Sequence, residues 1–248
     1  MQQLSKAQAC ASLQNYLEEL RESGVDGLPL APVLPARPVE SPAAAVSPDV
    51  SEEVVSLAEV RTRLGDCQRC DLAQTRTKLV FGVGNPDARL LFVGEAPGAE
   101  EDQQGEPFVG EAGRILNRII EAMGLGRQSV YICNVLKCRP PGDRNPHKQE
   151  VEACAWALQQ QIAAVAPEVI VALGTFAAQT LLHSKEPISK LRGQFHHYHG
   201  IPLMPTFHPA FLQRNTANKE HYWEVWRDME QVLQKLGLPV PEKKQRQQ

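Results

Sequence analysis

From Ser51 onward, short solid apolar runs alternate with longer stretches whose apolar residues recur every three or four positions. Arg89–Val93, Val130–Leu136 and Val169–Leu173 are of the first kind and predict strands buried on both faces. Helical spacing predicts helices over about Ser51–Leu64, Ala112–Met123, Pro146–Val165, Thr175–Leu182 and Lys219–Leu236. Gln194–His199 and Pro202–Thr206 read as two further strands. Strands alternating with helices specify an α/β fold with a short, mostly parallel sheet covered on both faces. Ligands in such folds sit beyond the carboxyl ends of the strands, which is where chemistry is to be sought.

The chain ahead of Ser51 follows different rules. Leu13, Tyr16, Leu17 and Leu20 fall at helical spacing, so residues 1–27 predict a short helical appendage, either unattached or a docking element for an unknown protein partner. Residues 28–50 hold six of the chain's 19 prolines among Ala, Val and Ser, a composition stiffened toward polyproline II that reads as a linker. The regular body then spans 51–238, and 239–248 form a polar tail. Charge follows the same division. Residues 1–60 carry three basic and nine acidic side chains, the remainder 23 basic and 20 acidic, within a chain of 248 residues and net charge −3. The body is thus weakly basic, which permits a polyanionic partner without requiring one. No apolar run approaches the roughly 18 residues of a membrane span. No basic-then-apolar leader follows Met1, so a cytoplasmic protein that does not engage membranes is expected.

Three polar side chains follow three different strands. The first strand runs into Gly94-Glu95-Ala96-Pro97-Gly98, the second ends at Asn134, and the last leads to His208-Pro209-Ala210. A carboxylate, an amide and an imidazole therefore share one rim. Gly94 and Gly98 lack a Cβ and let backbone N–H groups approach a ligand, but the sequence does not supply the G-x-G-x-x-G of a dinucleotide site.

Cysteine spacing is the most specific signal. Cys67-x2-Cys70 is the bite of a metal or cluster site, and Cys138 and Cys154 complete a tetrathiolate; Cys10 and Cys133 look like spares. Zinc and a [4Fe–4S] cluster both fit four thiolates, and spacing does not choose between them.

G-E-A-P-G at 94–98, G-E-P-F-V-G at 105–110, N-V-L-K-C-R-P-P at 134–141 and H-P-A at 208–210 together resemble the family 4 uracil-DNA glycosylases, over about Val54 to Leu236. The resemblance implies a three-layer α/β/α sandwich, a monomer acting on uracil-containing DNA, and hydrolysis of the bond between deoxyribose and uracil in base-excision repair. It implies a bacterial setting and a [4Fe–4S] cluster on Cys67, Cys70, Cys138 and Cys154. By motif position Glu95, Glu101 and His208 would be catalytic, and Gly94, Ala96, Phe108 and Asn134 would bind the base.

The residue types suit that chemistry. An extruded base can stack on Phe108. The Asn134 amide can donate to uracil O4 and accept from N3–H, a pattern cytosine inverts. His208 is suited to donate to O2, and Glu95 to hold the attacking water; Glu101 would share in catalysis or crowd C5 against thymine's methyl. Lys137, Arg139, Arg144 and Lys148, opposed in sequence only by Asp143, form an expected phosphate-contacting edge. Leu212, exposed by position, is expected to wedge into the gap left by the base, with Arg214 on a phosphate. The rival readings are a non-catalytic cluster- or zinc-bearing nucleic-acid-binding module, and a glycosylase preferring another deaminated base such as hypoxanthine.

Overall fold

The computed structural model describes residues 56–241, all within the second of two units, Val50–Gln248. The expected appendage, the linker, the stretch 51–55 and all but 239–241 of the polar tail lie outside the described residues.

The strand sequences alternate between two faces, and each face meets its own helices. Along β2 (Leu90–Gly94), Leu90 and Phe92 enter one core while Leu91 and Val93 enter the other. Likewise β4 (Val169–Leu173) sends Val169, Val171 and Leu173 one way and Ile170 and Ala172 the other. The first core is closed by α3 (Glu111–Ala122) and α8 (Glu220–Lys235), whose apolar stripes supply Leu116, Ile120, Met229 and Leu233. The second is closed by α4 (Lys148–Val165) and α5 (Gly174–Leu182), through Leu158, Ile162, Ala178 and Leu181. Solid apolar strands between two helical layers give the α/β/α sandwich that the sequence predicts.

The six-stranded sheet has the order β1-β3-β2-β4-β6-β5. Its four central strands, β3 (Tyr131–Asn134), β2, β4 and β6 (Ile201–Thr206), are parallel. The short β1 (Val83–Gly84) and β5 (His196–Tyr198) add antiparallel edges. Register brings Gly94 opposite Asn134 and Leu173 opposite Thr206, so the carboxyl ends of the central strands finish together. From β2 the chain passes to β3 through α3 on one face, and from β3 to β4 through α4 on the other. The end of β2 is therefore the topological switch point, and Glu95 is the first residue beyond it.

Helix α1 (Leu57–Leu64) falls within the helix expected over Ser51–Leu64 and begins at a Ser56–Glu59 capping box, whereas three short helices were not expected: α2 (Ala99–Gln104) follows the G-E-A-P-G turn, α6 (Ile188–Leu191) precedes β5, and α7 (Pro209–Arg214) follows His208. A buried ion pair fixes the end of β6. Asp228 on α8 is fully buried, accepts the Thr206 hydroxyl at 2.6 Å, and pairs with the Arg192 guanidinium at 2.8 and 2.9 Å. Arg192 in turn stacks over Phe207, the residue before His208.

Asp228→Ala leaves the buried Thr206 hydroxyl without its acceptor and Arg192 with Glu224 as its remaining anionic partner, so it is expected to lower unfolding free energy by about 2–3 kcal/mol. Urea titration of the variant checks this; a loss below about 1 kcal/mol would show that the pair does not anchor β6.

Candidate active site

At the carboxyl ends of the strands lies a cavity of about 590 Å³ whose walls include Glu95, Ala96, Glu101, Phe108, Asn134, His208 and Arg214. The structure thus brings together, from five separate segments, the residues that the sequence singles out along the rim. Gly94 packs against two of these residues. A Cβ on Gly94 would lie 2.4 Å from Asn134 Oδ1 and 2.6 Å from Phe108 Cζ, so only glycine lets these two side chains meet above the end of β2.

Asn134 is 2% exposed, and its Oδ1 has no hydrogen-bond partner among the described residues. Leaving a buried acceptor unpaired costs about 1–3 kcal/mol, which marks it as an acceptor kept for a ligand. Phe108 is buried and holds a left-handed backbone, φ 53°, uncommon for a large side chain. Three contacts impose that conformation. Glu101 Oε1 accepts the N–H groups of Val109 and Gly110, each at 3.0 Å. Arg127 donates to the Pro107 carbonyl and to Asn117 Oδ1. Gly113 of α3 lies so close that a Cβ there would fall 2.0 Å from the Phe108 carbonyl oxygen. The Phe108 ring stands 5.7 Å from that of His208.

The two carboxylates differ in their surroundings. Glu101 Oε2 accepts from Gly98 N–H at 3.1 Å, so both of its oxygens are committed to backbone, joining the turn after β2 to the Phe108 loop. Its geometry is that of a clasp between two loops. The Glu95 carboxylate has no partner among the described residues, and burial raises its pKa above the usual carboxylate value.

His208 is held by the turn that follows it. Its Nδ1 accepts the N–H of Ala210 at 3.1 Å, so a neutral ring carries its proton on Nε2. Burial first, and the Arg214 charge second, lower its pKa to about 4. The imidazole is therefore neutral at physiological pH. Gly174, with φ 89° and room for no Cβ beside His208, is a wall of the site that the sequence reading passed over as a strand end.

Two expected DNA contacts are corrected. Lys137 is 1% exposed, and its Nζ donates to the Asn134 carbonyl at 2.5 Å, so it cannot reach a phosphate. Leu212 is fully buried in the core below α3, because the segment read as a loop is the helix α7. One turn of that helix points Leu212 inward and leaves Phe211 and Arg214 on the cavity. The basic edge is also more nearly neutral than its sequence suggests: Arg139 pairs with Asp143, Arg144 with Glu150, and Lys148 with Glu152.

The four expected ligand cysteines are free thiols on one side of the same rim. Cys70, Cys138 and Cys154 pack around Leu72 and Leu136. Cys67 lies alongside, its carbonyl accepting from the Arg76 nitrogen that also donates to Cys138 Sγ. Among the described residues no three such side chains close on a single metal ion. Four cysteine sulfurs are the donor chemistry that an iron–sulfur cluster takes. Burial pushes the Cys138 thiol up to about 11, so an uncomplexed sulfur there stays protonated.

If Glu101 is the clasp, Glu101→Ala should speed amide exchange at Gly98, Val109 and Gly110 by roughly 10- to 100-fold, the factor of a lost charge-assisted hydrogen bond. Hydrogen-exchange mass spectrometry reads this locally; unchanged exchange would refute it.

The chain matches the model of the uracil DNA glycosylase superfamily over residues 81–230. It is 45% identical over 170 residues to the type-4 uracil-DNA glycosylase of Thermotoga maritima, spanning 68% of this chain and 88% of that protein. The type-4 uracil-DNA glycosylase of Archaeoglobus fulgidus is 42% identical over 175 residues (67% and 88%), and that of Saccharolobus solfataricus 39% over 176 (67% and 82%). On fold, cavity and sequence alike, the chain belongs to the uracil-DNA glycosylase superfamily and stands with its type-4 members.

Proposed function

We propose that this protein excises uracil from DNA by hydrolysing the N-glycosidic bond, with Glu95, Asn134 and His208 as the groups that act on the substrate. The observation that carries the reading is the buried, unpartnered Asn134 Oδ1 in a cavity that also holds Glu95, His208 and Phe108. An acceptor buried in this way is satisfied by an imide N–H. Uracil offers one at N3; cytosine offers a bare nitrogen and would leave two acceptors face to face. Phe108, clamped on both sides of its loop, supplies a fixed face for the base to stack on.

As the C1′–N1 bond breaks, negative charge builds on the uracil oxygens and positive charge on the sugar. A neutral His208 with its proton on Nε2 donates to O2 without first losing that proton to solvent. One such aimed donor is worth about 3–4 kcal/mol in the transition state. Glu95, ionised, accepts a proton of the attacking water and opposes the sugar's charge. Glu101 acts through Phe108 and the Gly98 turn and touches no reacting atom. Arg144 and Arg214 on the cavity rim, with Arg139 and Lys148 beside them, meet backbone phosphates; the exposed pairs of Arg139 and Lys148 are weak enough to be exchanged for phosphate, while Arg144 keeps its two bonds to the buried Glu150.

Cys67, Cys70, Cys138 and Cys154 would hold a [4Fe–4S] cluster, which when bound supplies a cross-link between residues 67–76 and the segment that follows Asn134. No helix of the described residues is long and apolar enough to cross a membrane.

Single- and double-stranded oligonucleotides carrying U, hypoxanthine or T, incubated and then treated with alkali, test the substrate. Cleavage at U with T untouched is expected, and His208→Ala should lower turnover about 100- to 1000-fold while leaving binding nearly unchanged. Equal losses in both would remove His208 from the reaction, and preference for hypoxanthine would favour the rival substrate.

The acidic side of the pH profile should belong to Glu95. Activity is present where Glu95 is ionised and falls as pH drops through its raised pKa, above the usual 4.5. This limb should persist in His208→Asn, since the imidazole titrates only near 4. Its disappearance in that variant would assign it to the histidine.

A further inference from the structure

The thiols meet two guanidinium groups of unlike burial. Arg69 Nη1 donates to Cys67 Sγ at 3.4 Å from an exposed position, and its guanidinium lies over the Trp156 ring at 4.8 Å. Arg76 is a different case, its side chain only 5% exposed. One nitrogen, Nη1, donates both to Cys138 Sγ at 3.3 Å and to the Cys67 carbonyl at 2.7 Å, and Nη2 pairs with Asp66 at 2.5 Å. Asp66 is 85% exposed, so this surface pair by itself does not account for burying the charge.

We infer that Arg76 is the positioning residue of the cluster, its Nη1–H hydrogen-bonding the cluster-bound Cys138 thiolate and protecting the cluster against oxidation. The inference rests on the cofactor reading above and deepens it. Four thiolates around a cubane give an anionic assembly, and a buried guanidinium is both its counter-charge and a fixed donor to one sulfur. Hydrogen bonds to sulfur, net charge and solvent access set the potential of such clusters. Taking away an N–H···S bond leaves more electron density on the thiolate, so the cluster gives up an electron more readily. Arg69 lacks the burial and serves as an internal control.

The test uses full-length protein purified without oxygen. Iron and sulfide per chain are measured first; then ferricyanide, which takes one electron from the cluster and becomes ferrocyanide, is added and the loss of visible absorbance is timed. The midpoint potential is measured in parallel. Arg76→Gln is expected to bleach about tenfold faster than the parent, the factor of a lost charge-assisted bond, and to shift to a lower potential. Arg76→Lys, which keeps the charge but not the fork, should fall between. Arg69→Gln and Asp66→Ala should bleach at the parent rate, although Asp66→Ala changes the exposed pair.

Thermal melting reports folding separately. Should Arg76→Gln fail to accumulate, Arg76→Lys carries the comparison. Parent-like bleaching and potential in the Arg76 variants, or an equal effect from Arg69→Gln, would overturn the role of Arg76 alone. A parent protein without iron would overturn the cofactor reading itself.

Discussion

Nothing larger than hydrogen fits on the α-carbon at position 94. The space a Cβ would take is already filled by the Asn134 amide and the edge of the Phe108 ring, and the site is built upward from that exclusion. Parallel pairing of β2 with β3 fixes Asn134 directly beside Gly94. The missing side chain then allows the amide and the aromatic ring to face one volume from two different segments. Backbone hydrogen bonds from Val135 to Gly94 and from Leu136 to Glu95 continue the pairing past the strand ends, so the two turns move as one piece. A hundredfold loss of rate can follow from a displacement of about 1 Å in such a constellation, which is why its floor is sheet rather than loop.

The two carboxylates show how neighbours assign roles. Glu95 and Glu101 lie six positions apart and both border the cavity. Glu101 sits in the first turn of α2, where its oxygens satisfy the N–H groups of Gly98, Val109 and Gly110. An anion engaged by three donors is stabilised as it stands and has little to offer a water molecule. Glu95 has no such partners, and partial burial makes its charged form less comfortable, hence more basic. Reactivity follows the unsatisfied group.

The alternation of buried strands and striped helices made the sandwich legible, since that pattern is a direct imprint of two cores on either side of a sheet. The rim residues were legible because each follows a strand in sequence. What could not be read was direction. Lys137 lies between Asn134 and Cys138 in a stretch that is buried throughout, and its charge alone suggested a surface. Leu212 follows a proline that reads as a loop yet opens a helix, for proline is well suited to a first helical turn. Arg127 and Gly113, which hold the Phe108 loop, carry no motif. They act through backbone atoms whose proximity exists only after folding.

Lys137 connects the cavity rim to the thiols. Its ammonium donates to the Asn134 carbonyl, its backbone hydrogen-bonds the Cys154 sulfur, and its carbonyl accepts from Val80. Among the described residues no carboxylate pairs with this buried side chain. A buried cation needs an opposing charge, and one carbonyl supplies only part of a dipole. The Cys154 thiolate of a loaded cluster would supply the rest: burial raises that thiol's pKa, and the lysine's charge works against the rise. On this view the cluster does more than staple two loops. Its negative charge would balance the lysine that braces the Asn134 carbonyl, and would join the thiol set and the pocket as two ends of one electrostatic unit.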